Sequence, residues 1–143
     1  MIESNNNFIN NDIDPNDMTM LQKYAEQLYQ YDDYEGAKRI FYLLVRIDQW
    51  NGDNFFSLGK CYQKCNEHEE ALFCFSRSGQ INIEDPRSAY LAGESYLRLN
   101  NTEYARRAFE AAIRVCQCLK ENPWTDIYHS AQNELNKLKG TSK

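Results

Sequence analysis

A 34-residue period constrains this chain more than any other feature. Moved 34 positions toward the C-terminus, Ser57–Phe75 (SLGKCYQKCNEHEEALFCF) falls on Leu91–Phe109 (LAGESYLRLNNTEYARRAF). Gly59 then meets Gly93, Tyr62 meets Tyr96, Ala71 meets Ala105 and Phe75 meets Phe109. Moved the other way it gives a fainter copy, in which Ala25 stands for the glycine, Leu28 for the tyrosine, and Ala37 and Phe41 keep their types. A fixed period of this length marks stacked supersecondary units that bury their apolar faces against one another.

The pattern resembles the tetratricopeptide repeat. The second copy supplies Phe55, Leu58, Gly59, Tyr62, Ala71 and Phe75; the third supplies Ala89, Ala92, Gly93, Tyr96, Ala105 and Phe109. Its physics is that of a helical hairpin. A small residue on the first helix and an alanine on the second let two backbones approach, while larger apolar groups fill the seam. Polar pairs at Asp32-Asp33, Asn66-Glu67 and Asn100-Asn101 mark the turns. Thr19 with Gln22 has capping-box spacing, and Asp85-Pro86 offers an N-cap followed by proline at the first helical position.

These signals predict an all-α solenoid of three tandem tetratricopeptide-like hairpins and a C-terminal capping helix. Helices are expected over 19–30, 34–48, 53–64, 68–80, 86–98 and 102–119, in repeats of about 18–51, 52–85 and 86–119 within a domain of 19–139. The cap, about 124–138, carries the stripe Trp124, Ile127, Ala131, Leu135 and Leu138. Residues 1–18, rich in Asn and Asp, read as a flexible arm.

Composition narrows the function classes. A formal net charge of -5 over 143 residues argues against phosphate-backbone partners, so nucleic acid is not expected. The longest apolar run, Ile40–Val45, is closed by Arg46 and falls far short of the roughly 20 residues that span a bilayer, so membrane insertion is not expected either. The N-terminus lacks a secretory pattern, and an odd count of five cysteines fits a reducing cytosol.

Cys61, Cys65, His68 and Cys74 raise the question of a zinc tetrad. One repeat later the same places hold Ser95, Leu99, Thr102 and Ala108, and one repeat earlier Gln27, Tyr31, Tyr34 and Ile40. Ordinary packing and surface residues thus occupy them, and structural cysteines are expected rather than a metal. The pair Cys116 and Cys118 lacks the spacer of redox or zinc pairs. His68 and His129 are the only histidines and read as surface residues. No phosphate-binding, dinucleotide or nucleophile-elbow motif occurs; neither catalysis nor a cofactor is expected.

What remains is a surface. In stacked hairpins the first helix of each pair lines the concave side, and positions three and four apart face away from its partner. They are Asp53, Phe56, Lys60 and Gln63, then Arg87, Tyr90, Glu94 and Leu97, with Gln22, Glu26 and Tyr29 from the first hairpin. Tyr29, Phe56, Tyr90 and Leu97 put large apolar groups where solvated faces are ordinarily polar, and Lys60, Arg87 and Glu94 can orient a ligand. The expected site is therefore a peptide-binding groove of Tyr29, Phe56, Lys60, Gln63, Arg87, Tyr90, Glu94 and Leu97. Packing against the neighbouring first helix is the competing reading for each apolar member.

Several strings resemble the class II chaperones of bacterial type III secretion, the translocator chaperones. They are Tyr34-Glu-Gly-Ala37 with Phe41, Asp48-x-Trp50 ahead of Phe55-Phe56-x-Leu58-Gly59-x-Cys61, and Asp85-Pro86-Arg87 before Ala92-Gly93-Glu94-x-Tyr96-Leu97. The resemblance runs from about Tyr24 to Leu138. It implies a bacterial cytoplasmic protein, usually homodimeric, whose groove receives an extended segment of a hydrophobic translocator and keeps it soluble before export. The groove role then falls on Tyr29, Phe56, Lys60, Tyr90 and Leu97. The Asn-rich region before Thr19 departs from the helical pattern through which such chaperones often dimerise.

Two other readings stand beside it. One is an adaptor that clamps a C-terminal carboxylate, but the matching places hold Gln22, Glu26, Ser57, Arg87 and Leu91, with a single cation. The other is a scaffold subunit whose groove is filled permanently by a neighbour.

Overall fold

The structure, a computed structural model, describes residues 13–141. Seven helices follow in order: α1 (Pro15–Gln30), α2 (Tyr34–Ile47), α3 (Gly52–Lys64), α4 (His68–Ile81), α5 (Arg87–Arg98), α6 (Thr102–Cys118) and α7 (Thr125–Thr141). The expected hairpins are α1/α2, α3/α4 and α5/α6, each helix packs on the next, and α7 closes the end of the last hairpin.

The three hairpins turn in the same way. Asp32, Asn66 and Asn100, spaced by the repeat, all take a left-handed backbone, with φ of 65°, 60° and 60°. Asp and Asn enter that region more readily than other non-glycine residues. The residue after each donates its amide back to the last turn of the helix: Asp33 to the Leu28 carbonyl (2.8 Å), Glu67 to Tyr62 (2.9 Å) and Asn101 to Tyr96 (2.9 Å). This satisfies carbonyls the helix end would otherwise leave bare. Asp33 and Asn101 then cap the following helix, accepting from the Gly36 amide at 2.9 Å and the Tyr104 amide at 3.1 Å.

The start of α1 differs from the expectation. Asp14 caps it by accepting from the Asn16 amide at 3.0 Å, with Pro15 in the first turn, so residues 15–18 are helical and not part of an arm. Thr19 lies inside the helix and donates its hydroxyl to the Pro15 carbonyl at 3.1 Å. The rest of the expected arm, residues 1–12, lies outside the described residues. Asp85 does cap α5, accepting from the Arg87 amide at 3.0 Å across Pro86. Trp124, expected on the capping helix, sits just before α7 and accepts from the Tyr128 amide at 2.9 Å.

The core follows from the small residues of the repeat. A β-carbon on Gly59 would stand 2.6 Å from Phe75 Cε1, and one on Gly93 2.5 Å from Phe109 Cε1. In the second and third hairpins the two helices therefore meet where glycine faces a ring, and in the first the buried Ala25 holds that place. Phe41, Phe75 and Phe109 are fully buried, each contributing about 1.5–3 kcal/mol by leaving water. Ala131 of α7, also buried, joins Phe109 with Leu135 and Leu138 beside it. Contacts skip a helix between α3 and α5 and between α5 and α7, so the odd-numbered helices lie side by side and form one wall.

Candidate functional site

The wall of odd-numbered helices carries the eight expected groove residues, and they separate into three settings. At the α1–α3 junction, Tyr29 and Lys60 line a hollow of about 200 Å³ with Glu26, Gln30, Phe41 and Ser57. Lys60 Nζ lies 4.9 Å from the Tyr29 ring centre and 5.2 Å from that of Phe56. Burial, reinforced by the nearby Arg87 charge, lowers the pKa of this ammonium from its ordinary value. A cation held partly out of water over two aromatic faces is attracted to both.

In the middle of the wall, Phe56 is not the open contact that its position predicts. It is 8% exposed, its ring 6.1 Å from that of Phe75, and both Lys60 and Arg87 lie over it. Arg87 bridges the wall, with its guanidinium 4.5 Å from the Phe56 ring centre and 4.9 Å from Trp124. Asp85 holds it there through contacts of 2.7 and 3.1 Å, a charge-assisted pairing that raises the guanidinium pKa further. So fixed, Arg87 is a poor element for a carboxylate clamp.

At the α5 end, Gln63 and Glu94 line a second hollow of about 220 Å³ with Lys64, His68 and Arg98. Gln63 Nε2 donates to the Leu91 carbonyl and to Ser95 Oγ, both at 3.0 Å, which joins α3 to α5. Burial pushes the Glu94 carboxyl up, and Glu134 of α7 adds to the effect. Tyr90 is half-buried with its ring 5.5 Å from that of Phe109, and it and Leu97 pack onto the Phe109 cluster. These two pack onto the second helix of their own hairpin and α7, rather than against the neighbouring first helix that the competing expectation named.

Trp124 and Glu134 reach the wall although they were not among the expected groove residues. Both lie beyond the third repeat, where no register says which way a residue points. Glu134 flanks the apolar stripe of α7, three residues from Ala131, and that flank was its only signal.

The cysteines and His68 do not gather into one centre. Cys61 and Cys74 are buried in the core, and burial pushes each thiol up to about 12. His68 is half-buried rather than a free surface residue, with Nδ1 3.1 Å from Ser95 Oγ. Among the described residues, the ligand atoms that come within 4.8 Å of one another are those of Glu35, Cys65 and Glu67. Lys38 lies among them, 3.0 Å from Glu35 and 2.5 Å from Glu67, and supplies the positive charge a metal would bring.

No helix of the described residues is long and apolar enough to cross a membrane. The fold is that of solved translocator chaperones. PcrH in complex with the chaperone binding region of PopD superposes with a TM-score of 0.86 at 22% identity, covering 92% of this chain and 98% of that one. Yersinia enterocolitica SycD with a peptide of the translocator YopD gives 0.85 at 21% identity, covering 92% and 99%. In sequence, the low calcium response locus protein H of Yersinia pestis is 28% identical over 88 residues, 62% of this chain. The chain spans about half the length of the curated relatives it matches, 52%. The family model described as anaphase-promoting complex, cyclosome, subunit 3 matches residues 30–112. That match takes in more than half of the sequence and the whole of the second repeat, and the chain belongs to this family.

Proposed function

We propose that this protein is a bacterial cytoplasmic chaperone that holds an extended segment of a hydrophobic type III secretion translocator against the wall of odd-numbered helices. The observation that carries the reading is the combination of that wall with the fold likeness: two neighbours of the same architecture were solved with translocator segments, PopD for PcrH and YopD for SycD. A translocator destined for a membrane exposes apolar segments that aggregate when free, and covering one of them prevents this without nucleotide or covalent chemistry. Side chains of the segment would enter the hollows at Tyr29–Lys60 and Gln63–Glu94, each apolar side chain contributing about 1.5–3 kcal/mol. Phe56, Arg87, Tyr90 and Leu97 would form the firm floor between the hollows.

A second reading, a scaffold subunit of a larger complex, draws on the family description, which is that of a complex subunit. Co-expression with a translocator fragment distinguishes them. Tyr29→Glu and Lys60→Glu, both on half-exposed side chains, should cut co-purified fragment by about ten-fold or more while helical circular dichroism is kept. Undiminished capture by both variants would remove the wall from the account. A fixed-stoichiometry complex with another protein, unaffected by either, would favour the scaffold.

A further inference from the structure

The largest of the hollows described lies away from the two on the wall. It measures about 650 Å³, within the range of peptide and small-ligand sites, and opens at the edge where the α4–α5 and α6–α7 connections meet the start of α3. Its floor is apolar: Ile81, Leu119 and Trp124 are half-buried there, and Ile83 is 72% exposed beside them. Its rim is acidic. Asp53, Glu84, Asp85 and Glu121 come to it from three separate segments. Asp85 is neutralised by Arg87, whereas Asp53, Glu84 and Glu121 make no salt bridge among the described residues. Asp53 accepts from Asn82 Nδ2 at 3.0 Å and feels the Arg87 charge, which leaves Glu84 and Glu121 as the uncompensated carboxylates of the rim.

We infer that this cleft docks a basic segment of a partner protein in which Arg or Lys alternates with aliphatic residues. Aliphatic side chains would cover Ile81, Ile83, Leu119 and the Trp124 face, removing exposed apolar surface from water. Cationic side chains would meet the Glu84 and Glu121 carboxylates on the rim. The sign of the rim excludes nucleic acid and anionic lipid surfaces. It also disfavours a second copy of this chain, whose formal net charge is -5. The inference goes beyond the proposed function and does not depend on it, since none of the rim carboxylates belongs to the two hollows of the wall.

The indole at the cleft gives a direct readout. Trp50, the other tryptophan, is 76% exposed and stands outside the cleft, so Trp50→Phe leaves Trp124 as the sole indole. Titration of that full-length variant with acetyl-RLRLRL-amide should change Trp124 emission saturably. Glu84→Lys with Glu121→Lys should weaken the response about ten-fold or more, and raised salt should weaken it as well. Tyr29→Glu on the wall should leave it unchanged. Both rim residues are exposed, so folding is not at stake. No response, an equal response to acetyl-ELELEL-amide, or a response abolished by Tyr29→Glu would overturn the inference. So would argininamide binding as tightly as the peptide, or a concentration-dependent dimer in sedimentation that the double charge reversal dissolves.

Discussion

Replacing Gly93 by alanine tests whether the close approach of α5 and α6 sets the fold of the third hairpin. The new methyl would lie 2.5 to 2.7 Å from three atoms of the Phe109 ring, where carbon atoms rest at about 3.5–4.0 Å. About 1 Å of movement is therefore required of a ring that is fully buried and backed by Tyr90 at 5.5 Å. Overpacking of this kind costs about 1–3 kcal/mol, and the better helix propensity of alanine returns about 1 kcal/mol. The expected net loss is about 1 kcal/mol, or roughly 3 °C in thermal midpoint for a chain of this size. Gly79 is the control: a methyl there meets nothing within 4 Å, so Gly79→Ala should stabilise by about 0.5–1 kcal/mol. Urea unfolding followed by circular dichroism would read both. In a Phe109→Leu background the penalty at Gly93 should shrink or reverse, since the atoms it strikes are gone. If Gly93→Ala stabilises as much as Gly79→Ala does, close approach is not what that glycine is for.

Glu94 and His68, both lining the second hollow, make opposite pH contributions. Burial and Glu134 raise the Glu94 pKa, so its charged form weakens the fold above its folded pKa, and the penalty is relieved as pH falls through that value. Glu94→Gln should therefore raise the thermal midpoint at pH about 7 and lose this advantage below pH about 3, where the carboxyl is protonated in both states. Burial, with Arg98, lowers the His68 pKa, so its neutral form favours the fold above the unfolded value of about 6.5, and that contribution is lost as pH falls through the folded pKa. Thermal midpoints of His68→Gln should accordingly decline less than those of the parent between pH about 7 and 5; an identical decline would refute this role for His68.

The repeat made most of the fold legible, because one constraint acts three times. Asp32, Asn66 and Asn100 are turn-forming residues at the same register, and each takes the left-handed backbone its hairpin needs. Where the constraint acts once, sequence signals compete. Thr19 and Gln22 imitate a capping box, yet Asp14-Pro15 starts α1, with an Asp-Pro pair like the one that marks α5 at Asp85-Pro86. The wall was legible as a face but not as a surface. Register places Phe56 and Lys60 on it, but whether a long cationic side chain lies over a ring or stands in water depends on what stacks beside it. Lys60 lies over Phe56 from one turn further along the same helix, whereas Arg87, held by Asp85, reaches the ring from α5. His68 was misread for the same reason, its partner Ser95 being brought to it by the next hairpin.

Each helix packs on its successor, and the main contacts that skip a helix join α3 to α5 and α5 to α7. No segment has to wait for a distant one before it finds its place, so during synthesis every hairpin can settle onto its predecessor as soon as it leaves the ribosome. Assembly can therefore follow the order of translation, with α7 covering the exposed side of α6 once both have emerged.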